Sequence, residues 1–230
     1  MSATAANLSA GSLRFWQTTV GKKAIMAVTG FMLFGFVVGH LLGNLQIYLP
    51  PEKINHYSAA LKSMPALLWG ARISLLLAVG LHIWSSVQLW FLQRGARPVQ
   101  YVKKANLNST YASRTMLWSG PIILAFLIFH LLHFTFGAVH PGGPFDEHNV
   151  YNNVVTGFQV WPVSLFYIIA MIMLCYHLYH GLWSMFQSLG FSHPVYTPWL
   201  QRFAKLVAIL IAVGNISIPV AVLAGFIKPV

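Results

Sequence analysis

Long apolar runs separated by short polar stretches dominate the chain. Five runs approach the roughly 20 residues that a helix needs to cross a bilayer. They cover 24–48, 67–92, 116–138, 162–187 and 203–227. This pattern predicts an all-α polytopic membrane protein with five transmembrane helices. Trp69, Trp90, Trp118, Trp161, Trp183 and Trp199 fall near the ends of these runs, where an amphipathic ring prefers the headgroup zone. Pro219 lies inside the last run, where a membrane helix tolerates it or kinks. The stretch from Met1 to Gly21 is polar and small and lacks the apolar core of a signal peptide. Insertion is therefore expected to rely on the first membrane helix.

Composition narrows the class. Charged residues make up 7% of the 230 positions, against roughly 25% in an ordinary soluble domain. So few charges cannot cover a water-facing surface, which excludes a soluble enzyme and favours one membrane domain spanning 1–230. Cys175 is the only cysteine, so a disulfide framework, a zinc ribbon and a thiol-ligated iron–sulfur cluster are excluded. The Cys-x-x-Cys-His signature of covalent haem attachment is absent, as are a dinucleotide fingerprint and a P-loop.

Charge adds an orientation. Arg14, Lys22, Lys23, Arg94, Arg97, Lys103, Lys104, Arg114, Arg202 and Lys205 would all lie on one side of the membrane. The other side would hold Lys53, Lys62, Arg72 and Lys228 with all three acids, Glu52, Asp146 and Glu147. Positively charged loops stay in the cytoplasm, so the N-terminus is expected inside and the C-terminus outside. The net charge of +11 reads as this bias and not as a nucleic-acid footprint. A basic cytoplasmic face suits anionic lipid or a docked soluble subunit.

Six of the ten histidines fall within the apolar runs: His40, His82, His130, His133, His177 and His180. Polar groups at bilayer depth are costly and usually functional. A single histidine would read as an interhelical hydrogen bond, but six with no carboxylate at that depth need another explanation. Imidazole is an axial ligand of haem iron, and a b-type haem needs no cysteine. At about 1.5 Å rise per residue, His40 lies roughly 6 Å and His130 about 4–5 Å to the outer side of their helix centres. By the same rule His177 lies about 4–5 Å and His82 about 3 Å to the inner side. Two layers follow, His40 with His130 outside and His82 with His177 inside, for two haems stacked across the bilayer. His133 and His180 each sit three residues from a proposed ligand and could replace it. They are taken here as groups beside the haems or near their propionates. Gly35, Gly39 and Gly43 recur every four residues beside His40, either as a packing stripe or as room for a porphyrin face.

Several stretches resemble the cytochrome b membrane-anchor subunit of bacterial succinate:quinone oxidoreductases, in the five-helix, di-haem type shared with some fumarate reductases. They are Phe15 to Gly30, Gly35 to Gln46 (GFVVGHLLGNLQ) and His177 to Ser184 (HLYHGLWS), together with Gly120 followed by His130, and His82. By position the resemblance puts the four axial ligands on His40, His82, His130 and His177. It favours His177 over His180, and it pairs the first helix with the third and the second with the fourth.

The resemblance implies a multi-pass protein of the bacterial cytoplasmic membrane. It would anchor a flavoprotein subunit and an iron–sulfur subunit on the cytoplasmic face. Electrons would pass through two non-covalent, bis-histidine haems b to a membrane quinone, typically menaquinone in relatives. The succinate chemistry itself would reside in the partners. Quinone-binding or protonating candidates near the outer haem are Glu52, His56, Tyr57 and Arg72; Arg14, Trp16, Lys22 and Lys23 are candidates on the inner side, or touch propionates. Each also reads as an interfacial anchor. An anchor cytochrome of a fumarate reductase or of another respiratory complex is the nearest alternative. A haem-free transporter with a histidine proton relay is a further one, but it predicts repeats and broken spans that the sequence lacks.

Overall fold

The computed structural model describes residues 14–96, 99 and 109–230. Arg97, Lys103 and Lys104 lie outside the described residues. The rest is helical, with no strand among the described residues: α1 (Thr19–Asn44), α2 (Pro51–Lys62), α3 (Pro65–Gly95), α4 (Tyr111–His130), α5 (Val150–Gln159), α6 (Trp161–Ser188) and α7 (Thr197–Leu223). A 3-10 turn extends α1 to Tyr48, and a π turn, Leu131–Thr135, extends α4. Five of these elements are long and apolar enough to cross a membrane: Thr19–Tyr48, Pro65–Gly95, Tyr111–Thr135, Trp161–Ser188 and Thr197–Leu223. The chain is a multi-pass helical membrane protein.

The helices begin where capping chemistry allows, not where hydropathy rises. The α4 helix starts five residues before its apolar run because the Thr110 side chain accepts a hydrogen bond from the Ser113 N–H at 3.1 Å, satisfying one of the free N–H groups of the first turn. Likewise Thr18 accepts from the Gly21 N–H at 2.9 Å. Pro198 lies in the first turn of α7, where its missing N–H is not needed. Arginines near helix ends lie over nearby indoles: Arg94 over Trp90 at 4.4 Å, Arg72 over Trp69 at 5.1 Å and Arg202 over Trp199 at 5.2 Å. These pairs join an apolar ring to a charged head, the combination that an interface favours.

The α1 and α6 helices pack side by side; α3 lies along α1, α4 along α6, and α7 along α6 behind the pair. The diagonals α1–α4 and α3–α6 are not packed along their length. Only 6% of the most apolar stretch of α3 or α4 is buried, against 33% in α6 and α7. Leu41, Leu178, Leu182, Ala204, Ala208 and Ile211 fill the α1–α6–α7 seam, whereas α3 and α4 stand off from each other.

Two short helices missed by the hydropathy pattern, α2 and α5, close one end of the bundle together with the C-terminus. Ile47, Ile54, Val155, Phe158, Tyr167 and Val222 form the core of this cap. Polar ties hold it: the Tyr151 N–H donates to Asn55 Oδ1 at 3.0 Å, the Tyr151 hydroxyl donates to the Lys228 carbonyl at 3.1 Å, and Asn152 Nδ2 donates to the Val230 carbonyl at 2.7 Å. His40 and His130 lie toward this cap; His82 and His177 lie farther along the helices, toward the cation-rich end.

Candidate functional site

Rings from unpacked diagonal helices meet in two places. His40 on α1 and His130 on α4 have centroids 5.6 Å apart with planes at 90°. His82 on α3 and His177 on α6 have centroids 6.2 Å apart with planes at 56°. An imidazole nitrogen bonds a metal at about 2.0–2.1 Å, so two rings facing one metal from opposite sides have centroids roughly 6 Å apart. The His82–His177 pair has that spacing, and the His40–His130 rings lie somewhat closer. No group of three or more His, Cys, Asp or Glu side chains able to hold a metal occurs among the described residues. Two-ligand sites suit a metal whose remaining ligands come from a macrocycle.

Hydrogen bonding at Nδ1 orients both rings of the deeper pair. His82 Nδ1 lies 3.2 Å from the Met26 carbonyl and 3.3 Å from Thr29 Oγ1. A carbonyl only accepts, so Nδ1 carries the proton. Thr29 donates its own hydrogen to the Ile25 carbonyl at 2.7 Å, leaving an oxygen lone pair for His82. Across the gap, His177 Nδ1 lies 3.3 Å from Ser119 Oγ, which donates to the Met116 carbonyl at 3.3 Å. His82 thus holds its proton on Nδ1, and so does His177 when Ser119 donates to the Met116 carbonyl. Neither Nε2 has a hydrogen-bond partner among the described residues. Metal-binding histidines are oriented in this way, through the nitrogen that does not bind. Thr29 and Ser119 were not singled out from the sequence; hydroxyls at histidine depth inside apolar runs are the signal that finds them.

The cap-end pair is built differently. His130 Nδ1 lies 3.3 Å from the hydroxyl of Tyr167, which also lies 3.1 Å from His133 Nδ1. His40 makes no hydrogen bond among the described residues, and its ring stacks on Phe36 at 5.3 Å and 21°. His133 is fully buried on the π turn, and its Nε2 is enclosed without a partner. A Cβ on Gly157 would sit 2.7 Å from that atom. With Nδ1 on Tyr167 and Nε2 sealed against α5, His133 has no nitrogen free for a metal in this arrangement.

The glycines beside His40 divide. Gly43 is a packing residue, since a Cβ there would lie 2.9 Å from the Tyr57 ring. Gly35 and Gly39 have nothing within 4 Å and face open space. On the deeper side a Cβ on Gly30 would reach 3.3 Å from His82 Cε1.

Toward the cation-rich end, polar groups are buried with too few partners. Among the described residues His180 Nδ1 and Trp183 Nε1 have none, and their rings meet edge-on at 5.5 Å. Lys22 is 8% exposed, and its ammonium donates to the Gln17 carbonyl at 3.3 Å. A buried ammonium with one neutral acceptor is poorly compensated.

Three of the four quinone candidates, Glu52, His56 and Tyr57, lie on α2 and the fourth, Arg72, on α3. Glu52 is exposed in the first turn of α2, where the helix dipole favours an acid. The Tyr57 ring packs on Gly43, and the Arg72 guanidinium covers Trp69. His56 lines a hollow of about 170 Å³ with Asn55, Lys62, Glu147 and His148. On the inner side Arg14 lies over the Trp16 ring at 5.5 Å. No family model, curated protein or solved structure matches the chain.

Proposed function

We propose that the chain is the di-haem cytochrome b membrane anchor of a succinate:quinone oxidoreductase in a bacterial cytoplasmic membrane. It would stand between a flavoprotein and an iron–sulfur subunit on the cytoplasmic face and a membrane quinone, menaquinone being our choice. The succinate chemistry belongs to the partners. The observation that carries the reading is the pair of two-histidine sites on unpacked diagonals. In the deeper pair each ring is held through Nδ1, and each Nε2 is free. The residues present fit b-type haem: His40 and His130 would hold one iron, and His82 and His177 the other. A haem so held supplies reversible one-electron storage.

The protein's own groups supply the rest. Met26, Thr29 and Ser119 hold the deeper ligands in orientation through Nδ1. Phe36 stacks on His40. Lys22, with its ammonium at the cation-rich end, is suited to a carboxylate of a porphyrin. The open faces of Gly35 and Gly39 are free of protein atoms on the helix that bears His40.

The test is a dithionite-reduced minus oxidised spectrum of the purified chain with a pyridine haemochrome count. Two b-type haems per chain are expected. A colourless protein from a haem-replete host sinks the reading. Copurification with a flavoprotein and an iron–sulfur subunit, followed by succinate:menaquinone activity, tests the partners.

A further inference from the structure

Tyr167 lies where two imidazoles converge. Its hydroxyl is within hydrogen-bond distance of Nδ1 of both His130 and His133. The ring is 6% exposed, and Phe126, Phe129, Phe134 and Phe158 surround it edge-on at centroid distances of 5.0, 6.1, 5.8 and 4.9 Å. It cannot swing away without unpacking the cap core.

A phenol has one hydrogen to donate. With an Nδ1 on each side, Tyr167 donates to one neutral ring and accepts the N–H of the other. Two arrangements satisfy both bonds. In the first, His133 carries its proton on Nδ1 and Tyr167 donates to His130, whose own proton must then sit on Nε2. That occupies the only nitrogen His130 has left for a metal. In the second, the His130 Nδ1–H donates to the Tyr167 oxygen and the Tyr167 O–H donates to His133 Nδ1. His130 Nε2 is then a free lone pair, and the proton of His133 sits on its enclosed Nε2.

We propose that Tyr167 is the positioning residue of His130, and that the chain His130–Tyr167–His133 supports His130 in its metal-binding tautomer when Nε2 takes the metal. This rests on reading His130 as an iron ligand. His133 is then the terminal acceptor of the chain and not an alternative ligand, which gives a use to a fully buried histidine that the electron-carrying role does not otherwise need. Donation to His133 also makes the phenol oxygen a stronger acceptor, because hydrogen bonds in a chain polarise one another. A stronger acceptor on Nδ1–H raises the basicity of Nε2 and favours the ferric over the ferrous state of the iron it binds. Among the described residues nothing comparable reaches the deeper pair, whose Nδ1 partners are a carbonyl and aliphatic hydroxyls.

The experiment is potentiometric titration of both haems, with low-temperature EPR of the oxidised protein, on wild type, Tyr167→Phe and His133→Leu. Phenylalanine keeps the ring packing and removes only the hydroxyl. The proposal expects two haems in Tyr167→Phe. The midpoint potential of the haem that His130→Ala removes should shift upward, with a changed low-spin EPR signal. The haem that His82→Ala removes should not move. In His133→Leu the same haem shifts in the same direction by less, which keeps the question answerable if Tyr167→Phe does not fold. Unchanged potentials and EPR signals in a two-haem Tyr167→Phe protein overturn the proposal and leave the function intact, as does a shift confined to the other haem. A wild-type protein without haem overturns both.

Discussion

The two histidine pairs have similar ring spacing and opposite construction. The deeper pair is held by small groups: Thr29 and Met26 on α1 hold His82 of α3, and Ser119 on α4 holds His177 of α6. Each hydroxyl passes its hydrogen to its own helix backbone and offers a lone pair across the helix interface. Both rings are therefore anchored by a neighbouring helix that packs tightly. The cap-end pair is lopsided. His130 depends on a buried phenol that it shares with a third histidine, while His40 has only the face of Phe36. The same α4–α6 packing thus positions one ring through an aliphatic hydroxyl, Ser119 on His177, and another through a phenol, Tyr167 on His130. The α4 helix unwinds into its π turn next to His130, and such turns recur at functional sites.

The largest expected effect is all-or-none and would show whether two sites exist at all. Changing His40 or His130 to Ala should leave one haem of two, and changing His82 or His177 should leave the other, counted as pyridine haemochrome per chain. A smaller effect separates the anchors within the deeper pair. Outer hydrogen-bond partners of metal ligands are worth roughly 10–100-fold in metal affinity. Ser119→Ala removes the only partner that His177 Nδ1 has among the described residues and should weaken haem retention by about 10-fold on that rule. Thr29→Val leaves the Met26 carbonyl in place and should cost His82 less; competitive transfer of haem to an apo-globin reads the difference. Equal losses would show that the carbonyl contributes nothing.

Gly157→Ala tests the cap-end construction from behind, since the new Cβ would press on His133 Nε2 and Cε1 at 2.7 and 2.9 Å. Overpacking of this kind costs typically 1–3 kcal/mol. A lowered Tm with a perturbed signal from the His40/His130 haem alone is expected. Gly30→Ala, with its 3.3 Å approach to His82, should disturb the other haem and by less. The smallest effect is expected from His180→Ala, which should keep both haems because His177 remains. Loss of a haem there would move the deeper ligand by three residues.

Much of this was legible in the sequence because membrane helices obey simple geometry. A run of about 20 apolar residues spans the bilayer, and a fixed rise per residue turns position into depth. That arithmetic sets His40 level with His130 and His82 level with His177, and those are the rings that lie side by side. The short helices α2 and α5 were not legible. Their 12 and 10 residues are too few to span, and the cap around Tyr151 and Asn55 depends on partners distant in sequence. Nor were the anchors legible. Thr29, Ser119 and Tyr167 are single polar residues in apolar runs, and only the packing of α1 on α3 and of α4 on α6 gives each a partner. The conflict between His130 and His133 likewise needed tertiary structure, because only α5, through Gly157, seals the second nitrogen of His133.

The most direct test of the account is the reduced-minus-oxidised spectrum and haemochrome count on the purified chain and its four single alanine variants. The account predicts two b-type haems in the parent and one in each variant. It also predicts that His40→Ala and His130→Ala lose the same spectral component, and that His82→Ala and His177→Ala lose the other. A parent without haem, or variants that keep both, would contradict it.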